Sequence, residues 1–213
     1  MGNNPFMSNS DQSSEPLEIE SKFPVTDLAT VEKILAAQNA YLTAPRVYEN
    51  NIRYENAGQS LGMEHRVLRL RQDTRARLTY KEPSPIPVEG AQARVELEVT
   101  VSDFAVMAAI LGRLGYTPAW RYEKYRTTYR FRRTEVTLDE LPYGSFVEIE
   151  GPLDAIGTVS ALLGLDDRKR VKSSYSDLFF QLKASMNLPF NDLTFENFKG
   201  IQLPDRWYDE QSS

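Results

Sequence analysis

At 213 residues, 41% hydrophobic and 26% charged, the chain can bury a real core as one largish domain or one domain with appendages, and its formal charge of −5 argues against a general nucleic-acid binder. The absence of cysteine excludes disulfides, a thiolate nucleophile and a Cys-based zinc site, and a single histidine, His65, excludes a multi-His metal site. Any bound metal must then be held by oxygen, which favours hard ions such as Mg²⁺, Mn²⁺ or Ca²⁺.

Residues 1–14, rich in Asn, Ser and Gln, read as disordered, and the opening "MGNNPFMSNSDQSSE" lacks the apolar core of a signal peptide. With no apolar run of membrane-spanning length, a cytoplasmic protein with no membrane partner is expected. "LEIESKF" (17–23) then alternates as a strand, with Glu18, Glu20 and Lys22 on one face and apolar residues at 17, 19 and 23 on the other. "TDLATVEKILAA" predicts a helix with Leu28, Val31, Ile34 and Leu35 on one side and Thr26 or Asp27 as N-cap. Strand signals dominate from there, near 45–56, 64–73, 75–82, 92–101, 117–132, 134–141 and 144–151, separated by turn chemistry such as "NAGQS", "QDTR" and "PYGS". His65, in "GMEHRVLRLR", reads as a polar residue at a strand start.

Helices are expected at "SDFAVMAAILGRLG", capped by Ser102 or Asp103 and stopped by Gly115, at "LDAIGTVSALLGL", and at "SSYSDLFFQLKASM". The tail 186–213, with Pro, Asn, Phe and Trp207, is not placed by its pattern, and serves as a lid, an interface or a cover on the outer surface. Eight strands with few covering helices predict a mainly β, α+β domain over 15–185: an eight-stranded antiparallel closed tunnel, or barrel, with peripheral helices, since closure removes unpaired edges.

The charged residues of these strands fall in doublets of one sign. Arg69 and Arg71 share a face of "VLRLRQ", Glu96 and Glu98 of "VELEVTV", Lys124 and Arg126 of "EKYRTTYRF", and Glu148 and Glu150 of "FVEIEG", with Phe146 in phase; Lys81 is in phase with Thr79, and Asp139 with Thr137. Like charges that close repel, so a doublet is disfavoured unless something of opposite sign sits between its members. Acidic doublets attract divalent cations and basic ones attract polyanions, which together predict a charged lumen holding a metal–polyphosphate complex. Two competing readings are a solvated outer face and a lumen of internally paired salt bridges. The second is disfavoured because burial costs several kcal/mol per ion. In the preferred reading Arg69, Arg71, Lys81, Lys124 and Arg126 make charge-assisted bonds to phosphate, and Glu18, Glu20, Glu148 and Glu150 hold metal. No general base is obvious; Lys22, Lys81 or a carboxylate-held water are the candidates.

The ordered set "E-x-E-x-K" (Glu18, Glu20, Lys22), "LRLR", "LTYKEP", "VELEV", "EKYR", the run from Asp139 to Gly151 and "KSSYSDL" from Lys172 resembles the CYTH superfamily, the triphosphate tunnel metalloenzymes, over about residues 17–184. The resemblance implies an eight-stranded charged tunnel, with Glu18, Glu20, Glu148 and Glu150 as ligands of Mg²⁺ or Mn²⁺ and Lys22, Arg69, Arg71, Lys81, Lys124 and Arg126 on phosphate. It also places Lys172 near the tunnel mouth, Tyr175 in a Ser-Tyr motif of the last helix, and Glu96, Glu98 and Asp139 at acidic lumen positions. "NNIRYENAGQSL" departs from the Tyr-Phe-Asp-Thr type motif that often ends the second strand. The expected activity is metal-dependent hydrolysis of a triphosphate, with tripolyphosphate the best single substrate and ATP a further one. The alternatives are an adenylyl cyclase making cyclic AMP and pyrophosphate, a thiamine triphosphatase, and a non-catalytic nucleotide or polyphosphate sensor. A homodimer is compatible with all of them.

Overall fold

The computed structural model describes residues 17–85 and 92–204. The N-terminal segment read as disordered, and Trp207, lie outside the described residues. The alternation that begins at Glu18 is carried round a ring of eight antiparallel strands: β1 (Leu17–Val25), β2 (Tyr41–Asn56), β3 (Val67–Gln72), β4 (Ala76–Pro83), β5 (Gln92–Val101), β6 (Tyr116–Phe131), β7 (Thr134–Leu141) and β8 (Gly144–Glu150). Their order is β1-β5-β4-β3-β2-β6-β7-β8, and β1 closes the barrel by pairing with β5 on one side and β8 on the other. Period-two alternation in a closed sheet sends one set of side chains outward and the other into the lumen.

The outward set is apolar and covered by helices. Helices α1 (Leu28–Ala37) and α4 (Leu153–Leu162) lie over Phe23, Phe131, Val136, Leu138, Val147 and Ile149, burying Val31, Leu35, Ile156 and Val159 against them. Helix α3 (Phe104–Arg113) sets Leu111 on Tyr54 and Leu70. Of the alternative N-caps, Asp27 starts α1 by accepting from the Ala29 N–H, and Asp103 starts α3 by accepting from the Val106 N–H. Among the described residues no helix is long and apolar enough to cross a membrane.

Two local features were not foreseen. Strand β2 begins at Tyr41 and carries register shifts between Leu42 and Ala44, Ala44 and Val47, and Arg53 and Tyr54. After it comes a single turn, α2 (Ser60–Met63), which the Glu55 carboxylate holds by accepting from the Leu61 and Gly62 N–H groups. This turn displaces the start of the next strand from about 64 to Val67.

One end of the barrel is filled by apolar packing. Helix α5 (Tyr175–Met186), opened by a Ser174/Asp177 capping box, places Tyr175, Leu178, Phe179 and Leu182 against Trp120, Tyr122, Leu141, Tyr143 and Phe146. The segment beyond it adds Leu188, Leu193 and Phe198 to the same core. Here β6 has outrun β7, whose ladder stops at Tyr125↔Glu140, and the tail takes over the vacant edge. The Leu193 carbonyl accepts from the Glu123 N–H at 2.9 Å, and the Leu193 N–H donates to Arg121 O at 3.0 Å. At the opposite end of β8, Gly151 (φ +150) passes so close to Arg133 O that a Cβ would stand 2.8 Å away, so only glycine fits.

Candidate functional site

The lumen is a cavity of about 790 Å³. Glu18, Glu20, Lys22, Arg69, Arg71, Lys81, Glu96, Glu98, Lys124, Arg126, Glu148, Glu150 and Tyr175 all line it, contributed by β1, β3, β4, β5, β6, β8 and α5. Two expected members do not. Asp139 shares the lumen face but is fully buried beneath Tyr175, and Lys172 is exposed, two residues before the lining Ser174.

Strand register sorts these charges into two kinds of rung. Lys22 stands opposite Glu148, Lys81 opposite Glu96, Arg126 opposite Asp139 and Lys124 opposite Glu49, each a pair of opposite sign. Glu20, by contrast, stands opposite Glu150, which stands opposite Glu135, and Arg69 stands opposite Arg53, as Arg71 does opposite Arg77. The expectation that internally paired ions would be few is therefore corrected: the opposite-sign rungs satisfy one another through direct cross-strand contact.

Asp139 is the hub of the paired set. It accepts from Lys124 Nζ at 2.9 Å, from Arg126 Nε at 2.7 Å and from the Tyr175 hydroxyl at 2.8 Å, holding both cations in place. Glu49 plays the same part beneath Arg71, whose Nη1 it accepts at 3.0 Å; burial opposes its ionisation, but Lys124, Arg126 and Arg71 keep its carboxyl well below the usual range. Glu98 accepts from Arg71 Nη2 at 3.1 Å and from the Thr79 hydroxyl at 2.8 Å.

The lysines expected to serve as bases are committed cations. Lys22 is 4% exposed, with Nζ 3.3 Å from Glu148 and 4.2 Å from the centre of the Tyr175 ring. Burial alone would lower its pKa, yet Glu148 and Glu20 raise it above the ordinary value. Lys81 Nζ lies 2.5 Å from Glu18 and 2.7 Å from Glu96; burial lowers it too, but Glu18 and Glu96 prevail and raise it. Groups that hold their protons this firmly are poor proton acceptors at neutral pH, which argues against either lysine as general base.

Two other carboxylates of the lumen are held above the usual range. Burial, with Glu20 and Glu96 beside it, pushes the Glu18 carboxyl up to about 8 despite Lys81. At the exposed rim, partial burial and Glu135 push Glu150 up to about 7. Burial raises Glu96 as well, but Lys81 outweighs it and holds that group at about 2. An oxygen-only donor set in which carboxylates outnumber the lysines beside them fits a hard divalent cation, with Glu18, Glu20 and Glu150 as the residues that would hold it. Glu148 differs, because Lys22 and Arg126 already occupy it and hold its carboxyl well below the usual range against the effect of burial. Among the described residues no three acidic or histidine side chains already converge on one point as a ready-made cage.

On the basic side, the Nε groups of Arg69, Arg71 and Arg77 are buried without an acceptor among the described residues, as are both polar atoms of the Asn51 amide. The guanidinium groups of Arg69, Arg71 and Arg77 line the cavity, and a cavity lined by cations suits an oxyanion. Sequence reasoning missed Glu49, Arg53, Arg77, Arg94, Glu135 and Tyr122, all of which line the cavity. Glu49, Asn51 and Arg53 do alternate in "YENNIRY", but bulges on either side hide the phase. Tyr122 carries no charge to mark it, although it shares the phase of Lys124 and Arg126. Its hydroxyl in fact accepts from Arg69 Nη1 at 3.1 Å, and although burial raises its pKa, Arg69 and Lys124 bring it below the ordinary phenol value.

The family model for the CYTH domain matches residues 16–163. A solved structure from Vibrio parahaemolyticus, described as a candidate adenylate cyclase, superposes with a TM-score of 0.68 at 16% identity, covering 77% of this chain and 98% of that one. A Pyrococcus horikoshii protein gives 0.61 at 24% identity, with 77% and 98% covered. A Hippeastrum protein, described as a candidate adenylyl cyclase with a dominant triphosphatase activity, gives 0.57 at 17% identity, with 78% and 95% covered. At these identities the likeness is one of fold. Among curated proteins, no match is found.

Proposed function

Because the chain belongs to the CYTH domain family, we propose that it is a divalent-metal-dependent triphosphatase that holds its substrate inside the barrel, with inorganic tripolyphosphate as the smallest sufficient substrate and a nucleoside triphosphate as the larger one. One observation carries the reading. A single cavity is lined by the carboxylates of Glu18, Glu20 and Glu150 and by the guanidinium groups of Arg69, Arg71, Arg77 and Arg126.

Phosphoryl transfer asks mainly for positioning and charge neutralisation. Arg69, Arg71 and Arg126 supply fork-shaped donors that match phosphate oxygens two at a time, while Lys22, Lys81 and Lys124 supply point charges. Asp139 and Glu49 fix the direction of these donors before the substrate arrives, so little reorganisation is needed when charge moves to the leaving phosphate oxygen. Mg²⁺ or Mn²⁺ held by Glu18, Glu20 and Glu150 supplies, when bound, the remaining positive charge against the phosphate oxygens. Removal of the proton from the attacking water falls to a group other than Lys22 or Lys81.

The test incubates the protein with tripolyphosphate, ATP and thiamine triphosphate in Mg²⁺ or Mn²⁺ and separates the products. Phosphate release that disappears in Glu20→Gln supports the triphosphatase. Pyrophosphate with cyclic AMP would instead support a cyclase, the second reading favoured by the likeness to proteins described as candidate adenylate cyclases. Tight binding without any product would leave a sensor.

A further inference from the structure

Closure of the barrel leaves a stretch of strand edge open. β1 pairs with β5 only over Leu17–Glu20, opposite Gln92–Val95, whereas β5 runs on to Val101 and stays paired with β4 to that end. Neighbouring bonds show which way each peptide group faces. The Gly151 N–H donates to Ile19 O at 3.0 Å and the Val171 N–H to Lys22 O at 2.9 Å, so the odd residues of β1 face β8 and the even ones face β5. The Ser84 N–H donates to Ala93 O at 3.2 Å, so the odd residues of β5 face β4 and the even ones face β1. Beyond Arg94, the peptide groups of Glu96, Glu98 and Thr100 therefore point to the side that β1 does not reach. Among the described residues no backbone group pairs with them there.

A free edge is ordinarily protected by a lysine, a proline, a bulge or an unpaired inward charge. This one lacks all four. Its outward residues are Leu97 and Val99, 54% and 56% exposed, and its pairing with β4 runs without a bulge. Glu96 and Glu98 turn into the lumen, but Lys81 and Arg71 already neutralise them. The chain's own preceding residues make a poor cover. Continuing the register of β1 would set Pro16 opposite Glu96, where each residue must both donate and accept, and a proline has no N–H to give. The same register would set Glu15 opposite Leu97 and Ser13 opposite Val99, neither of them apolar.

We propose that this edge of β5 is an interface between two copies of the chain, paired antiparallel about a two-fold axis. An axis through Val99 sets it against the partner's Val99 and Leu97 against the partner's Val101, joining the apolar outer faces. Glu98 and Thr100 then exchange both bonds with the partner's Thr100 and the partner's Glu98, and on the lumen side no acid meets a like charge. Centring on Glu98 instead would oppose two carboxylates. The two barrels thereby share a continuous sheet, β4 and β5 of one copy running into β5 and β4 of the other. Association bears on the wall that aims Lys81 and Arg71, because Glu96 and Glu98 supply both the edge and the acceptors of those cations. The pairing does not depend on what the tunnel binds.

The experiment is sedimentation equilibrium of the full chain over a concentration series, with amide hydrogen exchange on the same samples. A dimer is expected, and the Glu98 and Thr100 N–H groups should exchange more slowly as it forms. Thr100→Pro removes an edge donor without removing a bond to β4, and Val99→Lys places a charge at the two-fold axis. Both residues are exposed, and circular dichroism checks that the variants fold. Each change counts twice at a symmetric interface, so each should weaken dimerisation by about tenfold. A monomer whose two amides exchange fast overturns the proposal. So does a monomer whose amides are protected, which would mean that the chain's own N-terminal residues cover the edge. A dimer undiminished in both variants overturns it as well, since the interface then lies elsewhere.

Discussion

The opposite-sign and like-sign rungs of the barrel are built from the same residue types on the same strands, yet their energetics differ. Where Lys124 and Arg126 meet Asp139, or Lys22 meets Glu148, each charge has its partner within hydrogen-bonding or ion-pair reach, and Lys22 and Arg126 hold the Glu148 carboxyl well below the usual range. Where Glu20, Glu150 and Glu135 lie in a row, the strands bring like charges together and Glu150 is pushed up to about 7. The paired rungs are a scaffold that aims donors; the unpaired rungs are a store of charge that only a ligand can neutralise. Breaking a scaffold rung should therefore cost stability, and breaking a ligand rung should cost function alone.

The largest effect is expected at the hub. Asp139→Ala leaves Lys124 and Arg126 buried without their shared acceptor, and should lower unfolding free energy by about 3–5 kcal/mol, measured by chemical denaturation. A loss below about 1 kcal/mol would mean that the hub does not hold the wall. Glu20→Gln should do the reverse. Phosphate release from tripolyphosphate should fall by about 10²–10³-fold, while the metal-free protein melts no lower than the parent because one member of a repelling row is gone.

A pH titration separates the two sets next. The folded chain holds a proton on Glu18 up to about 8, whereas the unfolded chain releases it near 4.5, so the folded state binds more protons across that window and stability falls as pH rises. The depressed groups Glu49 and Glu148 act only below it, losing their contribution as pH falls under the ordinary carboxylate value. Melting temperature without divalent metal should decline from about pH 5 to about pH 8, and millimolar Mg²⁺ or Mn²⁺ should flatten the decline. A flat metal-free profile would show that the acidic row is not under strain. The smallest effect is expected for Tyr175→Phe, which keeps the ring under Lys22 but removes the hydroxyl on Asp139, at about 1–2 kcal/mol.

Much of this was legible because a strand has a period of two. Glu18, Glu20 and Lys22 announce a charged inner face by alternation alone, and so do the doublets of β3, β5, β6 and β8. Cap chemistry placed α1 and α3 within a residue or so. Legibility failed where the period is broken or where direction depends on a partner. The bulges of β2 concealed Glu49 and Arg53. Asp139 shares the phase of the lumen residues but is covered by Tyr175 from a helix far along the chain. Phe146 continues the row of Glu148 and Glu150, but packs against Tyr143 and Tyr175.

By itself, then, the sequence determined the strand count and the shared face of each charged doublet, because these follow from local periodicity, and its ordered motifs pointed to the family. Register and closure decided the rest. Which charges meet an opposite and which a like neighbour depends on how strands distant in the chain are aligned, and a shift by one residue would exchange the lumen and outer faces altogether. The apolar cluster over β6 likewise exists only because α5 and the tail fold back onto that strand.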